Sequence, residues 1–374
     1  MQEIEVVHIV AKLDRGGVEV WLKELFECHK KLGVRTSFIA TKNSEGYFDK
    51  DLISKGAKIF RIDSSNNILF LVRLYFFFKK HKFQVVHSHL LNFSGLIMFV
   101  AWLANIPIRV SHSHSDKSLI NFKANLIRKA YLKITQVLLK RFATKRLACS
   151  NLAGRSLYGN YSFKVIENGI NVEKFNDKNV NLRAKYLKEF GIKEEDRVIG
   201  HVGRFSIPKN HDFIVDIIQR LTQRINNFKI ILVGSGELED NIKDKVFRLG
   251  LTKYFVFAGG RDDVPDLMTN LFDIFLFPSL YEGMPISLIE TQVAGLPSII
   301  SSSIPRDVIK IESLFKIISL KESAETWAEA IEEVLTYTPI NNRFHKLNSK
   351  SIIETSDLNI SVSANKLLNI YKGA

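Results

Sequence analysis

The chain has 374 residues, of which 46% are hydrophobic, 25% charged and 11% aromatic. That composition excludes a disordered or collagen-like protein, and at roughly 100 to 200 residues per domain the length points to two domains. The formal net charge is +14, yet residues 1–170 hold 27 Lys and Arg against 12 Asp and Glu, so the whole excess belongs to the first half. Such an asymmetry points to an anionic partner for one domain only, either a membrane surface or a nucleic acid.

The N-terminus, Met1 to Glu5, is acidic where an export signal would be basic, so no export is expected. Short apolar, β-branched runs then follow in chain order: Val6 to Val10, Thr36 to Ala40, Val85 to Ser88, Arg109 to Ser111 and Leu147 to Cys149. Helical patterns separate them, among them Val18 to Leu32 and the aromatic-rich Ile68 to Lys82. Strands that are apolar without alternation, joined by helices, predict a parallel sheet covered on both faces. The uncharged stretch Leu90 to Ile108 is long enough on paper to span a bilayer. Asn92, Ser94, Gly95, Asn105 and Pro107 reduce its strongly apolar part to Leu96 to Ala104, which predicts a buried core helix instead.

The polar, charged segment Asn171 to Arg197 reads as a linker with a short helix. The pattern then restarts with strands at Val198 to Val202, Lys229 to Val233, Phe255 to Ala258, Ile274 to Phe277, Ser298 to Ser301 and Lys316 to Ile318. The expected fold is α/β: two Rossmann-like, doubly wound domains in series, facing across a cleft. The expected domains are residues 1–170 and 171–351, with a C-terminal helical segment, 352–374, free to pack back on the first. Two cysteines, Cys28 and Cys149, are too few for a disulfide framework and lack ligand spacing, which predicts a reducing compartment, the cytosol.

Several strand ends carry residues suited to binding an anion. Gly16 and Gly17 lie at the turn between the first strand and its helix, where glycine lets backbone amides approach a phosphate. The three-glycine dinucleotide fingerprint is absent, and a tight structural turn explains the pair equally well. Gly203, Arg204 and Lys209 follow the first strand of the second set and offer a planar fork and a point charge for one diphosphate, or else two solvated loop cations. Gly234 and Gly236 repeat the strand-then-glycine arrangement, and the loop bearing Arg261 is placed to frame a nucleobase. The sharpest constellation runs from Pro278 to Pro297: Glu282 in a loop with Gly283 and Met284, then Pro285 and Ile286 opening a helix that carries Glu290. Proline at a helix start exposes the following amides to a diphosphate, and Glu290 is placed to accept hydrogen bonds from ribose hydroxyls.

These residues together resemble the retaining nucleotide-sugar glycosyltransferases of family 4, which have the GT-B fold. The resemblance rests on Gly16-Gly17, on Glu167-Asn168-Gly169-Ile170, on the Gly203-Arg204 to Lys209 loop and on the two glutamates eight apart within Pro278 to Pro297. It implies that Arg204 and Lys209 hold the donor diphosphate, Glu290 the ribose, and that Glu282 lies by the donor sugar. It gives Gly16 and Gly17 an approach to phosphate or acceptor, and it gives a histidine after the strand ending near residue 111 contact with the donor sugar. His112 and His114 both qualify, with a slight preference for His112. The implied reaction is hexosyl transfer with retention, the leaving diphosphate being stabilised by Arg204, Lys209 and helix amides. No metal-ligand cluster is evident in the spacing, and no metal or other cofactor is expected, because cations and a helix end already meet the diphosphate charge.

From Lys117 to Arg146 there are nine basic residues and no acidic one, interleaved with Leu126, Ile127, Ala130, Tyr131, Ile134, Val137, Leu138 and Phe142 at spacings of three and four. This is a basic amphipathic helix or helix pair, suited to anionic lipid headgroups; Ile68 to Lys82 supplies a second aromatic and cationic patch. A core-packing helix with a solvated face is the plainer alternative. No nucleic-acid module is present, so no nucleic-acid partner is expected. The expected protein is a cytoplasmic enzyme peripheral to the inner face of the plasma membrane. It transfers sugar from a nucleotide donor, UDP by the family's habit, to a lipid-linked or oligosaccharide acceptor in bacterial surface polysaccharide synthesis. The competing readings are a sugar-nucleotide epimerase or phosphorylase on the same architecture, and a non-catalytic lipid-binding module.

Overall fold

The structure is a computed structural model describing residues 4–115, 125–175, 179–337 and 344–373. The chain divides into two units, residues 1–170 with 357–374, and residues 171–356.

Unit 1 is built on seven strands: β1 (Ile4–Val10), β2 (Val34–Ala40), β3 (Lys58–Arg61), β4 (Val85–Ser88), β5 (Ile108–Ser113), β6 (Lys145–Ala148) and β7 (Lys164–Val165). All pairings are parallel, in the order β3-β2-β1-β4-β5-β6-β7. The order reverses between β1 and β4, and at such a switch point the strand carboxyl ends open a crevice in doubly wound sheets. Val6, Val7, Ile9, Val85, Val86 and Val110 are fully buried because helices cover both faces. Those helices are α1 (Gly17–Lys31), α2 (Asp49–Ser54), α3 (Asn67–His81), α4 (Ser94–Leu103), α5 (Leu126–Phe142) and α6 (Asn151–Tyr158). Asn66, Asn125 and Ser150 cap α3, α5 and α6 by accepting from Leu69, Arg128 and Ala153 amides. Gly95 lets α4 cross α5 closely: a Cβ there would lie 2.5 Å from the Thr135 carbonyl oxygen.

Unit 2 opens with α7 (Val180–Phe190) and carries six parallel strands: β8 (Arg197–Val202), β9 (Phe228–Val233), β10 (Phe255–Gly259), β11 (Ile274–Phe277), β12 (Ser298–Ser301) and β13 (Phe315–Ile318). Their order is β10-β9-β8-β11-β12-β13, with the switch point between β8 and β11. The helices are α8 (His211–Leu221), α9 (Glu239–Arg248), α10 (Ile286–Ala294), α11 (Ala324–Tyr337) and α12 (Phe344–Glu354). Trp327, Ile214, Ile218, Ile230 and Leu276 lie at the centre of its core. Gln292 ties α10 down by accepting from the Lys310 and Ile311 amides and donating to the Leu288 and Val308 carbonyls.

Two features, the short strands and the C-terminal segment, differ from the sequence reading. Strands β3 and β7 escape it because they are only four and two residues long and, at Lys58, Arg61 and Lys164, charged. The segment read as a linker with a short helix holds that helix, α7, within unit 2: Tyr186 is buried and Arg183 donates to the Leu271 carbonyl at 2.8 Å. The single C-terminal helical segment is two elements, α12 in unit 2 and α13 (Ile360–Tyr371) in unit 1, so the boundary falls at 356 rather than 351. In α13, Leu367 and Tyr371 are buried beside α1, and a hydrogen bond from Ile170 N to Leu358 O anchors its approach. Leu90 to Ile108 forms a short turn, the buried helix α4 and the start of β5, and among the described residues no helix is long and apolar enough to cross a membrane.

Candidate active site

The unit 2 site assembles where β8 and β11 part. After β8 the chain makes a short helical turn, Ile207–Lys209, and ends it with Asn210 in the left-handed region, φ 57°. The Asn210 side chain donates to the Pro278 carbonyl at 3.1 Å, and the Leu280 amide donates to the Pro208 carbonyl at 2.8 Å. The two loops are thereby locked together. Across that junction Lys209 Nζ lies 2.7 Å from Glu282 Oε1 and 4.6 Å from the Phe277 ring centroid. Both charges are largely shielded from water, which strengthens their attraction.

Arg204 projects outward, and its ion pair with Glu237 is a 3.5 Å contact between two exposed side chains. A pair this exposed is worth little, so the guanidinium is available to a ligand. Gly203, Gly234 and Gly236 serve close packing: a Cβ on Gly234 would strike the Gly203 carbonyl oxygen, and one on Gly236 would lie 2.8 Å from the Phe205 amide nitrogen. They bring the β8 and β9 loops into contact. Arg261 lies in the loop expected to frame a nucleobase by backbone contacts. Its guanidinium is spent on both Asp263 oxygens at 2.7 Å and on Glu189 at 2.6 Å, so at this position only backbone is on offer to a base.

Gly283, Met284, Pro285 and Ile286 are buried and lead directly into α10. Pro285 is its N-cap and supplies no side-chain hydrogen bond, so the positive end of the helix dipole is uncapped. Glu290 is half-buried on the second turn.

In unit 1, Gly16 is the N-cap of α1, again without a side-chain cap bond, and the Glu19 carboxylate occupies the space a Gly16 Cβ would need. A carboxylate already over that helix end disfavours a phosphate there.

The structure also gathers residues that the sequence spacing leaves apart. His8 on β1, His87 and His89 at the end of β4, and His112 and His114 at the end of β5 are all buried together. His8 Nδ1 meets His89 Nε2 at 2.9 Å, His89 Nδ1 meets His114 Nε2 at 2.8 Å, and His114 Nδ1 reaches Asn168 Oδ1 at 3.2 Å. A second chain runs from Tyr371 Oη to His87 Nδ1 at 2.6 Å and from His87 Nε2 to His112 Nδ1 at 3.2 Å. Trp21 packs its ring against His89, His112 and His114. Burial drives His8, His87, His89 and His112 well below the usual imidazole range and His114 to about 3, an effect the Asn168 hydrogen bond partly opposes. These rings are therefore neutral. The sequence spacing shows no metal-ligand cluster, yet His8, His87 and His89, and separately His89, His112 and His114, each bring three ring nitrogens within 4.8 Å of one another. Two His-x-His pairs, His87/His89 and His112/His114, were the available signal, and parallel pairing of β4 with β5 sets them side by side.

Two parallel, doubly wound units with their strand orders reversing at a switch point define a Rossmann-like two-domain architecture. The family described as Glycosyltransferase Family 4 matches residues 15–174, and that described as Glycosyl transferases group 1 matches residues 183–350. EpsF of Bacillus subtilis (strain 168), assigned as a glycosyltransferase, is 31% identical over 98% of this chain and 96% of its own. The capsular polysaccharide biosynthesis glycosyltransferase CapH of Staphylococcus aureus is 32% identical over 89% and 91%. Among solved structures, Anabaena HepE in complex with UDP and glucose superposes with a TM-score of 0.84 at 18% identity, covering all of both chains. WaaG, a glycosyltransferase involved in lipopolysaccharide biosynthesis, superposes at 0.78 and 18% over 99% of this chain and all of its own. The chain belongs to glycosyltransferase family 4 and has the GT-B fold.

Proposed function

We propose that this glycosyltransferase moves a hexose, with retention, from a uridine diphosphate sugar to a lipid-linked or oligosaccharide acceptor in bacterial surface polysaccharide assembly. The observation that carries the donor assignment is the locked junction of the β8 and β11 loops, where Lys209 and Glu282 meet at 2.7 Å beside the uncapped start of α10. Arg204, Lys209 and the α10 amides form an anion site in which negative charge accumulating on a departing diphosphate is stabilised without a divalent ion. Glu290 accepts from the ribose, Glu282 lies by the sugar, and His112 or His114 keeps the sugar-contact role that the family resemblance implies. With no carboxylate placed as a covalent nucleophile, the departing phosphate takes the acceptor proton.

The nature of the donor and acceptor is supported by relatives. HepE is known in complex with UDP-glucose, and an Escherichia coli relative, 30% identical over 62% of this chain, is named as a galactosyltransferase acting on a diphosphoundecaprenol-linked sugar from UDP-Gal. Attachment to the inner face of the plasma membrane is supported by α5. Leu126, Ile127, Ile134 and Val137 are more than half exposed on a helix that also presents Arg128, Lys129, Lys133, Lys140 and Arg141. Lys117 and Lys123 of the same basic stretch lie outside the described residues. On α3, Ile68, Val72 and Phe76 are exposed with Lys79 and Lys80 following. The test is a nucleotide-sugar screen with an undecaprenyl-diphosphate sugar as acceptor, the anomeric product read by NMR. Turnover with UDP-sugars and retained configuration are expected; an inverted product, or epimerised donor without acceptor, defeats the reading.

A further inference from the structure

We propose that His89, His112 and His114 form a site for one divalent transition-metal ion in unit 1. One ring nitrogen from each lies within 4.8 Å of the others. Three imidazole nitrogens at 2.0–2.1 Å from a tetrahedral zinc stand about 3.3 Å apart, so small ring rotations gather them.

The hydrogen bonds behind the three rings supply the second observation. A metal-ligating imidazole donates its other N–H to an acceptor that fixes its tautomer and orientation. Each ring has such a partner in place: Asn168 Oδ1 for His114 Nδ1, His87 Nε2 for His112 Nδ1, and His8 Nδ1 for His89 Nε2. His87 is backed in turn by Tyr371. The nitrogens left to face an ion are His114 Nε2, His112 Nε2 and His89 Nδ1. His112 Nε2 is buried, its ring also interacting with the Ile166 carbonyl, and the other two share one proton at 2.8 Å. On loading, His8 and His89 in one chain and His87 and His112 in the other exchange one neutral tautomer for the other while His114 keeps its Nδ1 proton, with no net loss or gain of protons.

The overlapping trio His8, His87 and His89 lacks this support, because the outward partner of His8 is His89 itself. His89 is common to both trios, so one ion is expected. An all-imidazole set suits Zn²⁺, Cu²⁺ or Ni²⁺ and not the oxygen-seeking Mg²⁺ or Ca²⁺.

Only the consequence rests on the function proposed above: an ion on His112 and His114 withdraws both from the donor sugar and inhibits transfer. The experiment titrates the untagged, chelator-stripped full chain with Co²⁺ and then Zn²⁺, with no sugar nucleotide present. One equivalent of Co²⁺ with the visible absorption of a tetrahedral nitrogen site, displaced by Zn²⁺, is expected. His89→Gln and His114→Gln abolish it, while Asn168→Ala keeps all three ligands and weakens binding about 10–100-fold. Absence of the cobalt spectrum in the unmodified chain overturns the site, as does an unchanged spectrum in His89→Gln and His114→Gln. Transfer assays with and without Zn²⁺ separate the two readings. Binding without inhibition supports the site and counts against the sugar-contact role, whereas no binding overturns the site and leaves that role standing.

Discussion

Lys209 Nζ and Glu282 Oε1, 73 residues apart in sequence, lie 2.7 Å from each other in unit 2, their side chains only 17% and 13% exposed. The pair joins the loop that follows β8 to the loop that precedes α10, so each residue positions the other. Removing one partner leaves the other's charge in a poorly hydrated place, which costs more than the pair contributes. Lys209→Met and Glu282→Gln should each lower kcat/KM by two to three orders of magnitude, in the range seen when a transition-state donor is lost. Each should also destabilise the fold by about 1–3 kcal/mol. The double variant should regain part of the stability and none of the activity; chemical denaturation alongside steady-state kinetics reads both. Full activity in either single variant would remove the pair from the donor site.

Glu290→Ala tests the nucleoside end of the same site. Hydrogen bonds to a charged group are worth roughly 1.5–3 kcal/mol, so affinity for uridine diphosphate should fall by about 10- to 100-fold. Calorimetric titration with the diphosphate alone avoids any dependence on acceptor. An unchanged dissociation constant would take Glu290 out of the site.

The membrane assignment predicts co-sedimentation with vesicles containing anionic lipid that weakens steeply with salt, since the Debye length falls from about 10 Å at 0.1 M to about 3 Å at 1 M. Replacing Arg128, Lys129, Lys133, Lys140 and Arg141 with Gln should remove most of the binding. Each cation near the surface contributes about 1 kcal/mol. Equal binding to neutral vesicles, or none at all, contradicts the assignment.

Two histidines outside the metal trio set an acid limit on stability. His29 is pushed down to about 4 by burial, with a hydrogen bond to the Ala364 carbonyl acting the other way. His211 is pushed down to about 4 by burial and then by the Lys209 charge. In the unfolded chain both titrate near 6.5, so below that pH the unfolded state binds more protons and stability falls as pH drops. The loss should run from about pH 6.5 to about pH 4, with up to about 1.4 kcal/mol per pH unit from each histidine, and stability should be complete above 6.5. Urea midpoints at about pH 7.5 and about pH 5 check this, and His211→Phe should flatten the dependence; identical midpoints at the two pH values would falsify it.

At Gly95, any side chain meets the Thr135 carbonyl at 2.5 Å from the new Cβ. Gly95→Ala should force α4 and α5 apart and destabilise unit 1 by about 1–3 kcal/mol, the usual range for overpacking. A thermal melt reads the effect. Because α5 carries the basic apolar face, vesicle binding by this variant should stay within a few-fold of normal while the melting temperature falls.

Most strands were legible in the sequence because a parallel sheet covered on both faces demands near-continuous apolar runs, as in Val6–Val10, broken only by His8, and Ile274–Phe277. The candidate loop residues stood out for a related reason: Gly203, Arg204, Lys209, Glu282 and Pro285 sit at strand ends or a helix start, where backbone chemistry constrains residue choice over short spans. The α7 segment reads as only a short helix in a polar stretch because its buried residues, Tyr186 and Leu187, are outnumbered by solvated charges on the other face. The C-terminal helix was misread in length because the break at 355–359 holds Thr, Ser and Asp, with neither Gly nor Pro to mark it.

What the sequence alone determined, then, is the local order: parallel strands, the helices between them, and the charge imbalance toward the first half. Only the tertiary structure decided which distant residues meet. It seats Lys209 against Glu282, spends Arg261 on Asp263 and Glu189, lays Glu19 over Gly16, and draws His8, His87, His89, His112 and His114 into one buried cluster closed by Tyr371. The reason is that strand order in a doubly wound sheet is not sequence order. Placing β1 beside β4, and β8 beside β11, makes neighbours of side chains that no spacing along the chain relates.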